Sequence, residues 1–303
     1  MKIIANGLEI EVADSGSGEG EPRPAVLLVM GLGMQLTAWP PAFAQALIDA
    51  GFRVIRFDNR DVGLSQKLDQ LGKPNLLWES LKYKLGLKAR SGYSLQDMAA
   101  DALGVLDALQ VQRAHVVGVS MGGMIAQRIA LAAPDRVLSL TSIMSSSGAR
   151  GLPQARPEVL RALLARPKSS DQAAVVEHLL KLLDAIGSPD FVVPQAEMRE
   201  RITAQVERSF SPVGTLRQMM AVVSDATRAQ QLSQLRCPTL VLHGRVDPLV
   251  PYACGEDTAR RITGARLVGF DGMGHDLPPG VVNLLLRELI PFLQQSQPAA
   301  VPT

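Results

Sequence analysis

An α/β fold, with a mostly parallel, doubly wound sheet and a helical insertion, is what this 303-residue sequence predicts, on three observations. Short apolar runs alternate with helix-length amphipathic segments over 1–147 and again over 232–294. Between them, 148–231 lacks strand-like runs and carries helical stretches separated by Pro and Gly. At the junction of one apolar run with one helix stands Gly118-Val119-Ser120-Met121-Gly122, a G-x-S-x-G turn that needs a strand before it and a helix after it.

The elements follow in order. Alternating apolar and polar residues make 2–12 a strand, and the glycine cluster over 16–21 is a loop. That cluster is no phosphate loop, because no helix opens from it and its neighbours are acidic. A strand over 25–30, a helix over 41–50 stopped by Gly51 and a strand over 52–57 come next. The helix over 94–110 begins with Ser94 and Asp97 as a capping box and has a stripe of Leu95, Met98, Ala102, Val105, Leu106 and Leu109. Then come the buried strand 114–117, the helix 121–131 closed by Pro134, and the strand 137–144. Inside the insertion, 171–186 sets Val176, Leu179, Leu180, Leu183 and Ile186 on one face. Strands over 239–242 and 265–270 and a helix over 281–293 complete the core, and the Gln-, Pro- and Ala-rich tail 295–303 is expected to be disordered.

Composition narrows the partners. Thirty-one Lys and Arg against 29 Asp and Glu leave a formal charge of +2, too little to suggest nucleic acid, so a small molecule is expected. Cys237 and Cys254 stand apart from one another and from any metal-ligand spacing; free thiols are preferred over a disulfide. The first residues lack a signal-peptide core, and no stretch is apolar enough to span a bilayer. A cytoplasmic protein without stable membrane association is expected, and a homo-oligomer stays open.

A serine hydroxyl needs a base to become a nucleophile at neutral pH, and the base needs an orienting acid. Of four histidines, His115 lies in a strand, His178 in an insertion helix and His243 at a strand end. His275 follows the last strand in the glycine-bearing loop Asp271-Gly272-Met273-Gly274-His275-Asp276, and the order Ser, acid, His favours it as base. Asp247, in the loop after 239–242, is the candidate acid; the end of the preceding strand, Met144 to Ser147, offers none. Asp276 is read as a loop-capping residue and His243 as a structural neighbour of the acid loop. Asp58 and Arg60 are read as an ion pair bracing the loop after 52–57.

These segments, with Val29-Met30-Gly31-Leu32-Gly33, the run from Phe57 to Ser65 and Pro134-Asp135-Arg136-Val137, resemble the α/β-hydrolase superfamily over all of the chain except the tail. Within it the sequence is most similar to bacterial esterases of the aclacinomycin methylesterase type, through Val29-Met30-Gly31 and 113–122. The resemblance implies an α/β-hydrolase fold of eight strands with a helical cap between strands six and seven. It also implies an oxyanion hole from the backbone N–H groups of Leu32 and Met121. Met30 stands where many relatives carry His, a change that spares a hole built from main chain.

The expected activity is hydrolysis of uncharged short- to medium-chain carboxylic esters by Ser120, His275 and Asp247, with no metal or organic cofactor. Methyl ester, C–C bond or thioester cleavage, peracid formation and a non-catalytic receptor remain as alternatives, because fold does not settle function. Met30, Met34, Met124, Met219, Met220 and Met273 are candidates for an apolar, deformable acyl pocket, against the plainer reading that they fill core. The basic amphipathic segment 76–88 either covers core, flanks the mouth of the site or touches lipid.

Overall fold

The sheet grows outward from one strand, Ala25–Val29, whose five residues are all buried. This strand, β3, pairs in parallel with β4 (Arg53–Phe57) on one side and β5 (Ala114–Val119) on the other. The remaining strands are β1 (Lys2–Ala5), β2 (Leu8–Asp14), β6 (Val137–Ile143), β7 (Thr239–Gly244) and β8 (Arg266–Phe270), in the spatial order β1-β2-β4-β3-β5-β6-β7-β8. Only the β1–β2 and β2–β4 pairs are antiparallel. The computed structural model describes residues 1–16, 23–75 and 92–296. The segment 76–88, most of the glycine loop 16–21 and the end of the tail lie outside the described residues.

The stretch 2–12, read as one strand, is a hairpin. Asn6 and Gly7 take positive φ values of 49° and 75°, which form a tight turn matched to strand twist. The Asn-Gly pair was the local signal, and the clear alternation of Leu8 to Val12, extended back over the apolar residues before it, concealed the turn.

Side chains along β3 divide strictly by parity. Ala25, Leu27 and Val29 join one apolar layer with α2 (Leu95–Ala108) and α3 (Met121–Ala132), while Val26 and Leu28 join the opposite layer with α1 (Pro41–Asp49) and α10 (Pro279–Gln295). A strand covered on both faces must be apolar throughout, and each such Leu or Val stabilises the fold by about 1.5–3 kcal/mol. Helix ends follow local chemistry. Ser94 Oγ accepts the Asp97 N–H at 3.2 Å and the Asp97 carboxylate accepts the Ser94 N–H at 2.8 Å, so the capping box exists.

Between β6 and β7 the chain forms α4 (Pro157–Leu164), α5 (Gln172–Ile186), α6 (Gln195–Arg208), α7 (Pro212–Ser224) and α8 (Arg228–Gln231). Asp171 caps α5 by accepting the Ala174 N–H at 2.9 Å. Val176, Leu180 and Ile202 form a small separate core between α5 and α6. After β7, α9 (Tyr252–Arg261) packs on β7 and β8. The last helix runs on to Gln295, into the first residue of the stretch read as a tail.

One ion pair differs from expectation. The chain turns after β4, so Asp58 and Arg60 diverge and do not pair. Arg60 forks onto Asp101 of α2, at 2.6 and 2.7 Å, whereas Asp58 pairs with Arg208 of α6 at 2.8 Å. Asp58 also accepts the N–H groups of Leu36 and Leu64, so it does brace the loop, with a different partner.

Candidate active site

The chain leaves β5 through Ser120, whose φ of 56° is a strained value for a residue with a side chain. Two neighbours must be glycine because backbone crosses where their Cβ atoms would stand. A Cβ on Gly118 would lie 2.1 Å from Gly122 O, and one on Gly122 would lie 2.0 Å from Val29 O. The strain is held by bonds on both sides: Ser120 N–H donates to Ile143 O at 2.9 Å, and Ser145 Oγ donates to Ser120 O at 2.7 Å. The hydroxyl is thereby lifted above the carboxyl ends of β3 and β5. There the chain order of the sheet reverses, the place where open α/β sheets bind ligands.

His275 arrives from the loop after β8, with Nε2 2.9 Å from Ser120 Oγ and Nδ1 2.7 Å from Asp247 Oδ2. A carboxylate only accepts, so Nδ1 carries the proton and Nε2 is left free to accept the serine hydroxyl. Asp247 is fixed by its own turn, its Oδ1 accepting the N–H groups of Leu249 and Val250 at 2.9 and 2.8 Å. His275 and Asp247 are both buried, whereas Ser120 is half-buried.

Behind the carboxylate lies His243, buried, with Nε2 2.7 Å from Val250 O and 3.6 Å from Asp247 Oδ2. Burial pushes its pKa down and outweighs the Asp247 charge, which favours a neutral ring donating Nε2–H to the Val250 carbonyl. His115 is buried in β5 with Nδ1 2.7 Å from Ser139 Oγ, and His178 belongs to α5; neither is part of this constellation. Cys237 and Cys254 are free.

The loop after β3 passes close to the serine: a Cβ on Gly31 would stand 3.2 Å from Ser120 Cβ. Met121 opens α3, so its N–H has no acceptor within the helix, and the Leu32 N–H makes no hydrogen bond among the described residues. The insertion pins this loop. Gly33 N–H donates to Gln218 Oε1 at 2.9 Å, and Gln218 Nε2 donates to Arg60 O at 2.8 Å. Gln35 Nε2 donates to Gln205 O and Ser209 O, and Arg208 donates to Gln35 Oε1 at 2.5 Å.

No local pattern in the sequence marks Gln218, Gln35 or Arg208, since their partners lie 150 or more residues away. The methionines divide between the faces of the sheet. Met30 and Met273 are buried in the layer of α1 and α10 with Met34 at its edge, and Met124 packs on the opposite layer. Met220 is buried and Met219 half-buried on α7.

A family model described as the alpha/beta hydrolase fold matches residues 24–278. The chain belongs to the α/β-hydrolase family. Among relatives of this α/β hydrolase, rhodomycin D methylesterase DnrP of Streptomyces peucetius is 31% identical over 276 residues, covering 84% of this chain and 86% of the relative. Rhodomycin D methylesterase DauP of Streptomyces sp. strain C5 matches with the same identity and coverage. Among solved structures, the meta-cleavage product hydrolase CumD of Pseudomonas fluorescens IP01 superposes with a TM-score of 0.73, 22% identity and 98% coverage of both chains. That likeness shows the fold alone. Among the described residues of this hydrolase, no helix is long and apolar enough to cross a membrane.

Proposed function

We propose that this protein is a serine carboxylesterase acting on uncharged short- to medium-chain esters through an acyl-enzyme. The observation that carries the reading is the continuous line from Ser120 Oγ to His275 Nε2 at 2.9 Å and from His275 Nδ1 to Asp247 Oδ2 at 2.7 Å. Ser120 Oγ attacks the ester carbonyl carbon as its proton passes to His275 Nε2, and Asp247 stabilises the imidazolium. The Leu32 and Met121 N–H groups, with the positive end of α3, receive the negative oxygen of the tetrahedral intermediate. The intermediate collapses by breaking the bond to the alcohol oxygen, which takes the proton from His275. Water then attacks the acyl carbon, giving its proton to His275, and Ser120 leaves with that proton as the carboxylic acid departs. Met34, Met124 and Met219, each half-buried, are the pocket candidates with surface still open to an acyl chain.

Ser120→Ala is expected to lower p-nitrophenyl acetate turnover by on the order of 10⁴–10⁶ while the protein stays folded. A folded variant working at the parental rate overturns the proposal. A p-nitrophenyl series from acetyl to dodecanoyl measures the pocket through its chain-length optimum.

A narrower reading, cleavage of methyl esters, is favoured by the 31% identity to two proteins named as methylesterases. Methanol release from methyl esters, faster than alcohol release from the matching butyl esters, is its expected result; equal rates speak against it.

A further inference from the structure

The loop carrying His275 is held from outside the core, by the end of one insertion helix. Where α5 finishes, Ile186 C=O accepts the His275 N–H at 2.7 Å. Two residues later Ser188 Oγ donates to Asp276 Oδ1 and accepts the Gly274 N–H at 2.8 Å. One buried hydroxyl therefore spans the residues on either side of His275, and the three consecutive residues 274–276 are bound to two residues of the insertion, Ile186 and Ser188. The fit is close enough that a Cβ on Gly274 would lie 2.3 Å from Gly187 O.

The donor roles are fixed by chemistry. The Asp276 carboxylate can only accept, so the single Ser188 proton goes to it, and a lone pair is left for the Gly274 N–H. Alanine can do neither. Within its own loop His275 has glycines at 272 and 274, whose freedom would let the ring wander. Asp247 holds the ring at Nδ1 alone, which leaves backbone height and ring tilt to be set elsewhere. Base and nucleophile must stay within about 0.5 Å of their working geometry.

We propose that Ser188 is a positioning residue for His275, through which the helical insertion sets the base against Ser120. This deepens the ester hydrolase reading and rests on it. The insertion then acts on the chemistry itself as well as on access, because any displacement of the end of α5 moves the backbone of the base.

The test uses the full chain and two readouts: the rate at which a small fluorophosphonate labels Ser120, and p-nitrophenyl acetate hydrolysis, both counted per titrated active site. Ser188→Ala should label and turn over roughly tenfold to a hundredfold more slowly, with KM changed much less than kcat. Ser188→Thr, which keeps the hydroxyl, should recover most of the rate. A merely structural role would lower Tm and the number of active sites and leave the rate per site intact; that result, or a folded Ser188→Ala at the parental rate, overturns the proposal. Should Ser188→Ala fail to fold, Asp276→Ala removes the acceptor from the other side and must show the same slowing per site, and a parental rate there overturns it equally. A parent that neither labels nor turns over would sink the ester hydrolase reading and this one together; an active parent with unaffected variants sinks this one alone.

Discussion

Two hydrogens in place of two methyl groups make the turn at Ser120 possible. Gly122→Ala would put Cβ 2.0 Å from Val29 O; the backbone at 122 fixes the Cβ and the oxygen is itself backbone, so neither can rotate away. The end of β3 must then shift, carrying the 31–33 loop with it. The expected cost is about 1–3 kcal/mol, as for overpacking in a core. Urea unfolding should show the lowered midpoint, and fluorophosphonate labelling should fall further than stability alone explains. This part of the site was legible because it is local: five adjacent residues specify the turn, and the flanking patterns specify the strand and the helix. His275 and Asp247 were legible for a related reason, since each follows a recognisable strand. Ser188 was not, because its meaning depends on residues 86 and 88 positions away.

Among the elements, the junction between α3 and the return from the insertion depends on one carboxylate. Asp225 pairs with both Arg128 of α3 and Arg228 of α8, and all three are buried. Burial, with the neighbouring Arg128 charge, pulls the Arg228 pKa down to about 9. Arg128 also donates to Gln231, and Arg228 to Gln127 and Ser146 O, so the guanidiniums are locked in place. Asp225→Ala would leave two buried cations without their counter-ion. A loss of about 3–5 kcal/mol is expected in denaturant unfolding, far more than for a surface pair. Helix positions were readable from apolar periodicity, as over 171–186, and from the capping box at Ser94, whereas the Asp171 cap emerged only in the structure. Polar partners were not: Asp58 and Arg60 looked like a pair because they are neighbours in sequence, and the turn after β4 sends them to different helices.

For the molecule as a whole, the buried ring of His115 makes stability depend on pH. Burial lowers its pKa from 6.5 to about 4, so between those values the unfolded chain binds a proton that the folded chain refuses. The contribution is complete above pH 6.5 and is lost as pH falls toward 4, a change of about 3 kcal/mol. Urea midpoints measured across this window should fall with acidity, and His115→Asn should flatten that part of the slope. Asp14 and Asp61, whose carboxyls burial would raise but arginine partners hold low, act only at lower pH, below 3.8. The layered arrangement was legible at this scale because a sheet covered on both faces leaves all-apolar runs. The hairpin at its edge was hidden because only two residues, Asn6 and Gly7, separate β1 from the alternating β2.

The bonds from Ile186 and Ser188 to the loop of residue 275 bear on how such a scaffold is re-engineered. Transplanting a foreign helical module between β6 and β7 to obtain a new selectivity would leave Ser120, Asp247 and His275 untouched in sequence. It would also remove the carbonyl and hydroxyl against which that loop is seated. A chimera should therefore keep Ile186 and Ser188 at the native end of α5, and with them Arg208, Gln218 and Asp225, which bind the loops after β3 and β4 and helix α3.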